Sequence, residues 1–181
     1  MYTRNLLWLV SLVSAAPLYA ADVPANTPLA PQQVFRYNNH SDPGTLDPQK
    51  VEENTAAQIV LDLFEGLVWM DGEGQVQPAQ AERWEILDDG KRYIFHLRSG
   101  LQWSDGQPLT AEDFVLGWQR AVDPKTASPF AGYLAQAHIN NAAAIVAGKA
   151  DVTSLGVKAT DDRTLEVTLE QPDPCLLYTS P

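Results

Sequence analysis

Apolar residues recur along the chain at two spacings, one typical of helices and one typical of strands. Over residues 59–67 the apolar side chains return every three or four positions, which predicts a helix with an apolar stripe. Asn54 or Thr55 is placed to cap this helix, because a short polar side chain there can bind the first free backbone amides. Gly66 stands where such a helix commonly ends.

A second helix is predicted to begin at Thr110. The four residues that start there, Thr-Ala-Glu-Asp, resemble a capping box, in which two side chains bind each other's backbone amides. The apolar stripe of this helix covers Phe114–Val122, and Asp123-Pro124 ends it because proline cannot continue a helix. A weaker helical pattern covers Ala142–Ala147, directly before a glycine.

Alternating apolar and polar residues predict strands elsewhere. The strongest pattern is a hairpin around Asp-Asp-Gly at 88–90, with Tyr93, Phe95 and Leu97 on one face of its second strand. Because strands and helices alternate irregularly, the pattern indicates a mixed α/β architecture of the α+β class. The predicted strands are Val34–Tyr37, Trp84–Leu87, Tyr93–Arg98, Leu155–Ala159 and Leu165–Leu169.

The first 20 residues have the composition of a secretory signal peptide. Arg4 supplies a positive start, and the apolar run Leu6–Val13 is too short for a permanent membrane anchor. Small residues follow, and Leu18-Tyr19-Ala20 before Ala21 forms a cleavage site. We therefore expect residues 1–20 to be removed and the mature protein to be released into the periplasm of a Gram-negative bacterium.

Charge and rare residues narrow the possible functions. The chain has 12 Lys and Arg against 23 Asp and Glu, a formal net charge of −11, so we expect no nucleic-acid partner. Its single cysteine, Cys175, excludes an internal disulfide framework. The three histidines lack metal-ligand spacing, and neither a phosphate-binding loop nor a nucleophile motif occurs. We expect no metal, no cofactor and no catalytic residue.

One long motif is specific enough to indicate a family. The residues FHLRSGLQWSDG at 95–106 are followed by PLTAEDF at 108–114 and by Trp118. This pattern resembles the extracellular solute-binding proteins for oligopeptides, dipeptides and nickel. The residues LDP at 46–48 and DLFEGL at 62–67 are similar to the members that bind oligopeptides and murein tripeptides, and the similarity extends over Ala21–Pro174.

The resemblance implies a fold, a function and partners. It implies the N-terminal part of a two-lobe periplasmic binding protein, type II-like, with an extra subdomain. Residues 21–65 would begin the ligand-binding lobe I, and 66–174 would form the accessory subdomain of the N-terminal lobe. Residues 175–181 depart from the family pattern and would be a truncated end. A monomer would capture an oligopeptide between two closing lobes and deliver it to the permease complex of an inner-membrane ABC transporter.

The resemblance also implies which residues contact the ligand. Glu52, Glu53 and Asn54 occupy positions that line the ligand near its N-terminal part, and Phe130 stands where oligopeptide-binding members have tyrosine. Without the resemblance, Glu52 and Glu53 are equally well explained as surface carboxylates that complement a helix dipole. Phe130 is then equally well explained as an ordinary core residue.

Two other interpretations remain open. The same fold would serve another solute, such as a murein tripeptide, a dipeptide or a nickel chelate. A secreted carbohydrate-active enzyme would use paired carboxylates and stacking tryptophans, but the Asp pairs at 88–89 and 161–162 fall in turns. We expect core packing for four tryptophans, Trp69, Trp84, Trp103 and Trp118.

The predicted signal peptide gives a testable start for the mature protein. We expect the exported protein to begin at Ala21, because cleavage follows the small-residue site at Ala20. N-terminal sequencing of the periplasmic fraction measures this. A mature form that still begins near Met1 would contradict it.

Overall fold

The computed structural model describes residue 28, residues 31–32 and residues 34–179. It divides the chain into two units, Met1–Asn38 and Asn39–Pro181. The predicted signal peptide lies outside the described residues. Among the described residues, no helix is both long and apolar enough to cross a membrane.

In the first unit, the segment Val34–Tyr37 forms no strand, so that prediction is wrong. The rings of Phe35 and Tyr37 stack with their centroids 6.0 Å apart, and the Phe35 side chain is largely exposed. A strand requires hydrogen bonds from a neighbour, and no described segment pairs with this one.

The second unit contains five helices and six strands among its described residues. Two short 3₁₀ turns, at Asp88–Gly90 and Val152–Ser154, complete the regular structure. In chain order the elements are α1 (Asn54–Leu63), β1 (Val68–Met70), β2 (Val76–Pro78), β3 (Ala81–Leu87), β4 (Arg92–Leu97), α2 (Ala111–Val122), α3 (Ala131–Gln136), α4 (Ala142–Val146), β5 (Val157–Asp161), β6 (Thr164–Thr168) and α5 (Leu176–Thr179).

The first helix differs from the prediction at both ends. Glu53, and neither Asn54 nor Thr55, is the residue before its first turn, and its side chain makes no capping hydrogen bond. The helix ends at Leu63 because Phe64 is already extended. The carbonyl of Leu67 then accepts a hydrogen bond from the Ala81 amide at 2.9 Å, which draws Leu67 into the strand region instead of a further helical turn.

Four antiparallel strands form the main sheet in the order β3-β4-β6-β5. The predicted hairpin of β3 and β4 is confirmed, with Trp84 opposite Phe95. Tyr93, Phe95 and Leu97 are all buried on one face, as their spacing predicted. Strands β5 and β6 correspond to the predicted strands Leu155–Ala159 and Leu165–Leu169, but β5 begins two residues later and includes Asp161. Strand β6 lies beside β4 with Leu165 opposite Phe95. The small hairpin β1–β2 was not predicted as strands.

Helix α2 packs across β5 and β6 and closes the core. Its start is the predicted capping box, in which the Thr110 amide donates to Asp113 Oδ2 at 2.7 Å. Val115, Trp118 and Val122 are buried on the sheet, so the predicted stripe is confirmed. Helix α4 occupies the weaker predicted segment, whereas α3 was not predicted because it is short and rich in alanine and glycine.

Two glycines allow a matched test of this packing. A Cβ added at Gly156 would lie 2.5 Å from the Asn140 Cβ and 2.7 Å from the Thr168 carbonyl oxygen, whereas one added at Gly117 would meet no atom within 4 Å. We predict that Gly156→Ala lowers the free energy of unfolding by about 1–3 kcal/mol because backbone and side chain must shift. Gly117→Ala should leave it unchanged or raise it by up to ~1 kcal/mol, since alanine favours the helix.

Urea unfolding followed by tryptophan fluorescence measures both variants. Equal unfolding midpoints for Gly156→Ala and Gly117→Ala would contradict the close contact at Gly156.

Candidate functional site: an aromatic groove

An open groove of about 820 Å³ lies beside α2 in the second unit. The end of α1, the loop before α2, α2 itself and α3 surround it. Six aromatic side chains line it: Phe64, Trp103, Phe114, Trp118, Phe130 and Tyr133. A groove of this size and composition matches the general character of small-molecule sites, which are concave and mostly apolar.

The helical repeat of α2 explains why its aromatic residues serve the groove. Phe114, Gly117, Trp118 and Ala121 are three or four residues apart, so they share one side of the helix and line the floor. Trp118 is only 5% exposed and belongs to the core as well. Core packing was therefore the correct expectation for Trp118, and the core itself holds the floor of the groove in place.

Two other tryptophans are not core residues. Trp103 is 41% exposed at the groove, where it lies in a turn closed by a hydrogen bond from the Gly106 amide to its carbonyl. Trp69 is 55% exposed on β1, because a two-stranded hairpin has too few neighbours to cover it. The core expectation was wrong for these two, while Trp84 packs partly buried against the core.

Phe130 lies in the wall of the groove at the start of α3. Its ring is 6.0 Å from that of Tyr133, with the planes tilted by 48°. The Phe130 amide donates to Ser128 Oγ at 3.2 Å, which fixes the turn that presents the ring. The structure thus brings Phe130 to a concave aromatic surface, and it is half-buried there.

Glu52, Glu53 and Asn54 do not line this groove. They lie exposed at the start of α1, where the Glu53 carbonyl accepts hydrogen bonds from the Ala56 and Ala57 amides. The Glu53 carboxylate rests against Gly44, since a Cβ on that glycine would lie 2.6 Å from Glu53 Oε1. The structure therefore brings only one of the four predicted ligand-contacting residues into the groove.

The electrostatics of the groove are simple. Among the described residues that line it there are two carboxylates, Glu65 and Asp113, and no lysine or arginine. Glu65 is paired with Arg98, and Asp113 accepts from the amide and hydroxyl of Thr110. A negative group in the groove would meet no balancing charge from these residues, so the lining disfavours an anionic part of a ligand.

Gln80, one of the lining residues, has a side-chain oxygen without a hydrogen-bond partner. Gln80 Nε2 donates to the carbonyl of Glu65 at 2.9 Å, which fixes the amide orientation, while Gln80 Oε1 is buried without a hydrogen-bond partner. Buried acceptors are rarely left unpaired, so Gln80 Oε1 is an exception among the described residues. A lone glutamine has no sequence pattern, and for this reason sequence reasoning missed it.

A cluster of hydrogen bonds ties the loop before α1 to α2. The Arg120 guanidinium donates to both carboxylate oxygens of Asp47, at 2.9 and 2.6 Å, and to Gln49 Oε1 at 2.6 Å. The bonds from Arg120 hold the pKa of the Asp47 carboxyl below its ordinary value. Asp47 is therefore ionised at neutral pH, as the ion pair requires.

A smaller polar cavity of about 400 Å³ lies near the turn between β5 and β6. His96 Nε2 lies 2.9 Å from Glu85 Oε1, and Arg83 pairs with the same carboxylate at 2.7 Å. Hydrogen bonds from Arg83 and His96 lower the pKa of Glu85.

Within the described part of the chain, no group of His, Cys, Asp and Glu side chains is arranged to hold a metal ion.

The known proteins that share this fold are solute-binding proteins. Residues 75–181 match the model of "Bacterial extracellular solute-binding proteins, family 5 Middle". The chain belongs to this family.

Curated relatives agree with this assignment. The chain is 99% identical over 174 residues to "Probable deoxycholate-binding periplasmic protein YgiS" of Escherichia coli, which covers 96% of this chain and 32% of that protein. It is 51% identical over 166 residues to "Periplasmic oligopeptide-binding protein OppA" of Salmonella typhimurium, covering 92% and 30%. The chain thus spans about a third of the length of these relatives.

Solved structures have the same fold. The murein tripeptide binding protein MppA of Escherichia coli matches with a TM-score of 0.72 and 44% identity, over 77% of this chain and 28% of that one. Haemophilus influenzae OppA in complex with the peptide RPPGFSPFR matches with a TM-score of 0.74 and 42% identity, over 80% and 29%. The α+β fold and the resemblance drawn from the 95–106 motif are confirmed.

Proposed function

We propose that the full-length protein is a periplasmic solute-binding protein that delivers an amphipathic small solute to an inner-membrane ABC importer. Family membership is the observation that carries this proposal. The aromatic groove supports this proposal, because an aromatic surface can bind apolar groups of a solute without a chemical reaction. The protein on this view is not an enzyme, and its work is capture and release.

Oligopeptides are the first candidate ligand. The relatives that are 51% and 42% identical are oligopeptide-binding proteins by name or by the bound peptide. On this proposal residues 21–65 begin lobe I and 66–174 form its accessory subdomain, while the chain beyond them supplies the second lobe. Glu52, Glu53 and Asn54 would then meet the amino end of the peptide when the lobes close, although they lie outside the groove here.

A bile acid is the second candidate, favoured by the 99% identity to the protein named as deoxycholate-binding. The rigid apolar ring system of deoxycholate would pack against Trp103, Phe130 and Tyr133. The carboxylate of the ligand would point away from the groove, because the lining provides no cation. Residues outside this chain would bind it.

Calorimetric titration of the full-length protein separates the two candidates. The protein is first unfolded and refolded to remove any co-purified solute. Deoxycholate is then titrated beside unmodified tripeptides and their acetylated, amidated versions. We predict that at least one class binds. If peptides bind, blocking their termini should weaken binding strongly, since charge-assisted hydrogen bonds to the ends contribute more than neutral ones.

Three outcomes are decisive. Binding of deoxycholate alone would make the bile acid the ligand and reject the peptide. Binding of free and blocked peptides alike would contradict recognition through the peptide ends. Binding of neither class would contradict the proposed ligands, and binding of a sugar or nickel chelate instead would replace them.

Substitutions at Phe130 test the groove itself. Phe130→Ala should weaken ligand binding about 5- to 50-fold, because it removes an aromatic surface from the wall of the groove. Phe130→Tyr should change affinity little, since the ring is kept. Trp69→Ala is the matched control, as Trp69 is an exposed aromatic residue outside the groove. Equal losses for Phe130→Ala and Trp69→Ala would contradict a role for the groove.

Glu52→Ala adds a test that depends on the ligand. The carboxylate attracts a peptide amino end through water, so the variant should weaken binding of a free peptide about two- to fivefold. It should leave deoxycholate binding unchanged or slightly stronger, because deoxycholate is an anion. The same titrations measure both.

A further inference from the structure

Arg120 lies on α2 but makes its side-chain hydrogen bonds to the loop before α1. It lies on the helix that forms the floor of the groove, but it does not line the groove itself. Its guanidinium reaches instead to the loop before α1, where it binds Asp47 through both carboxylate oxygens and Gln49 through Oε1. The planar fork of arginine suits this two-point contact, which the single ammonium of lysine cannot reproduce.

Gln49 connects Arg120 to residues that line the groove through further hydrogen bonds. Its Nε2 donates to the carbonyl of Gly117 at 2.6 Å, and its backbone carbonyl accepts from Ser128 Oγ at 2.7 Å. Ser128 Oγ in turn accepts from the Phe130 amide at 3.2 Å. A continuous series of hydrogen bonds therefore leads from Arg120 to the residue whose ring forms the groove wall.

The residues along this series divide into two sets. Gln49, Ser128 and Phe130 line the groove, whereas Arg120 and Asp47 do not. The Arg120 side chain is 47% exposed and that of Asp47 is 25% exposed. Exposed ion pairs contribute little to global stability, so the value of this pair lies in the geometry that its two-oxygen contact imposes.

We propose that Arg120 is a positioning residue for the solute site: it holds the 47–49 loop and the Ser128–Phe130 turn at the spacing that the bound ligand requires. This inference rests on the proposed function, since it assigns the groove as part of the solute site. Arg120 acts through Gln49 and Ser128, and its charge is neutralised by Asp47. It therefore does not serve as the cation for a ligand carboxylate.

The test uses the full-length protein with four variants: Arg120→Lys, Arg120→Ala, Ser128→Ala and the double variant Arg120→Ala/Ser128→Ala. Arg83→Ala is the matched control, because Arg83 forms an exposed ion pair with Glu85 at 2.7 Å on β3, away from the groove. Affinity is measured by calorimetry with deoxycholate and with an unmodified tripeptide. Hydrogen exchange of the ligand-free protein is measured by mass spectrometry.

We expect Arg120→Ala and Arg120→Lys to weaken binding alike, about three- to tenfold, with thermal midpoints close to that of the unsubstituted protein. Ser128→Ala should weaken binding by a similar factor. The double variant should lose less than the product of the two, because both residues act through Gln49. Exchange should accelerate locally at residues 45–54 and 128–131, and Arg83→Ala should change none of these.

Other outcomes overturn the inference. Retained affinity in Arg120→Lys together with loss in Arg120→Ala would show that Arg120 supplies charge to the ligand. A lowered thermal midpoint with unchanged affinity would show a purely structural role. If the unsubstituted protein binds neither ligand, the proposed function fails by itself, and the exchange data decide the inference: unchanged exchange at 45–54 and 128–131 in Arg120→Ala overturns it.

Discussion

The packing of α2 across β5 and β6 is the contact on which the rest of the described structure depends. Val115, Trp118 and Val122 are buried on the sheet face that carries Phe95 and Leu165. Because protein cores are close-packed, this contact fixes the axial position and rotation of the helix. Phe114 and part of Trp118 lie at the edge of this apolar stripe that faces the groove, and they form its floor. Stability and the candidate site thus share residues, and Trp118 serves both.

The charges around the groove restrict what it can hold. Its described lining offers aromatic surface and two carboxylates that already have hydrogen-bond or ion-pair partners. Such a surface disfavours an anionic part of a solute, because a buried negative charge needs a cationic or hydrogen-bonding partner. The charged ends of a peptide or a bile acid must then be recognised by other residues. For either proposed ligand, recognition of the charged ends would require residues outside the groove lining.

Part of the described surface is apolar and uncovered. Leu61 and Leu63 on α1 are 73% and 62% exposed, and Phe64 is 46% exposed. The curated relatives are about three times as long as this chain, which covers 30–32% of them. On the proposed division into lobes, residues 21–65 belong to a lobe completed by later chain. Leu63 and Phe64 line the groove, whereas Leu61 lies outside it, so Leu61 is the part of this face that a partner surface would cover on that division.

The amino-acid sequence by itself determined the elements whose signal is local. The α2 stripe, its capping box and the β3–β4 hairpin follow from periodicity and turn chemistry, and the 95–106 motif identified the family. Only the tertiary structure decided that α1 ends at Leu63, that Val34–Tyr37 forms no strand and that Trp103 faces a groove. Arg120 and Asp47 are 73 positions apart in the sequence, and no sequence motif marks Gln80. Long-range contacts set these features, and the local order of residues carries no information about them.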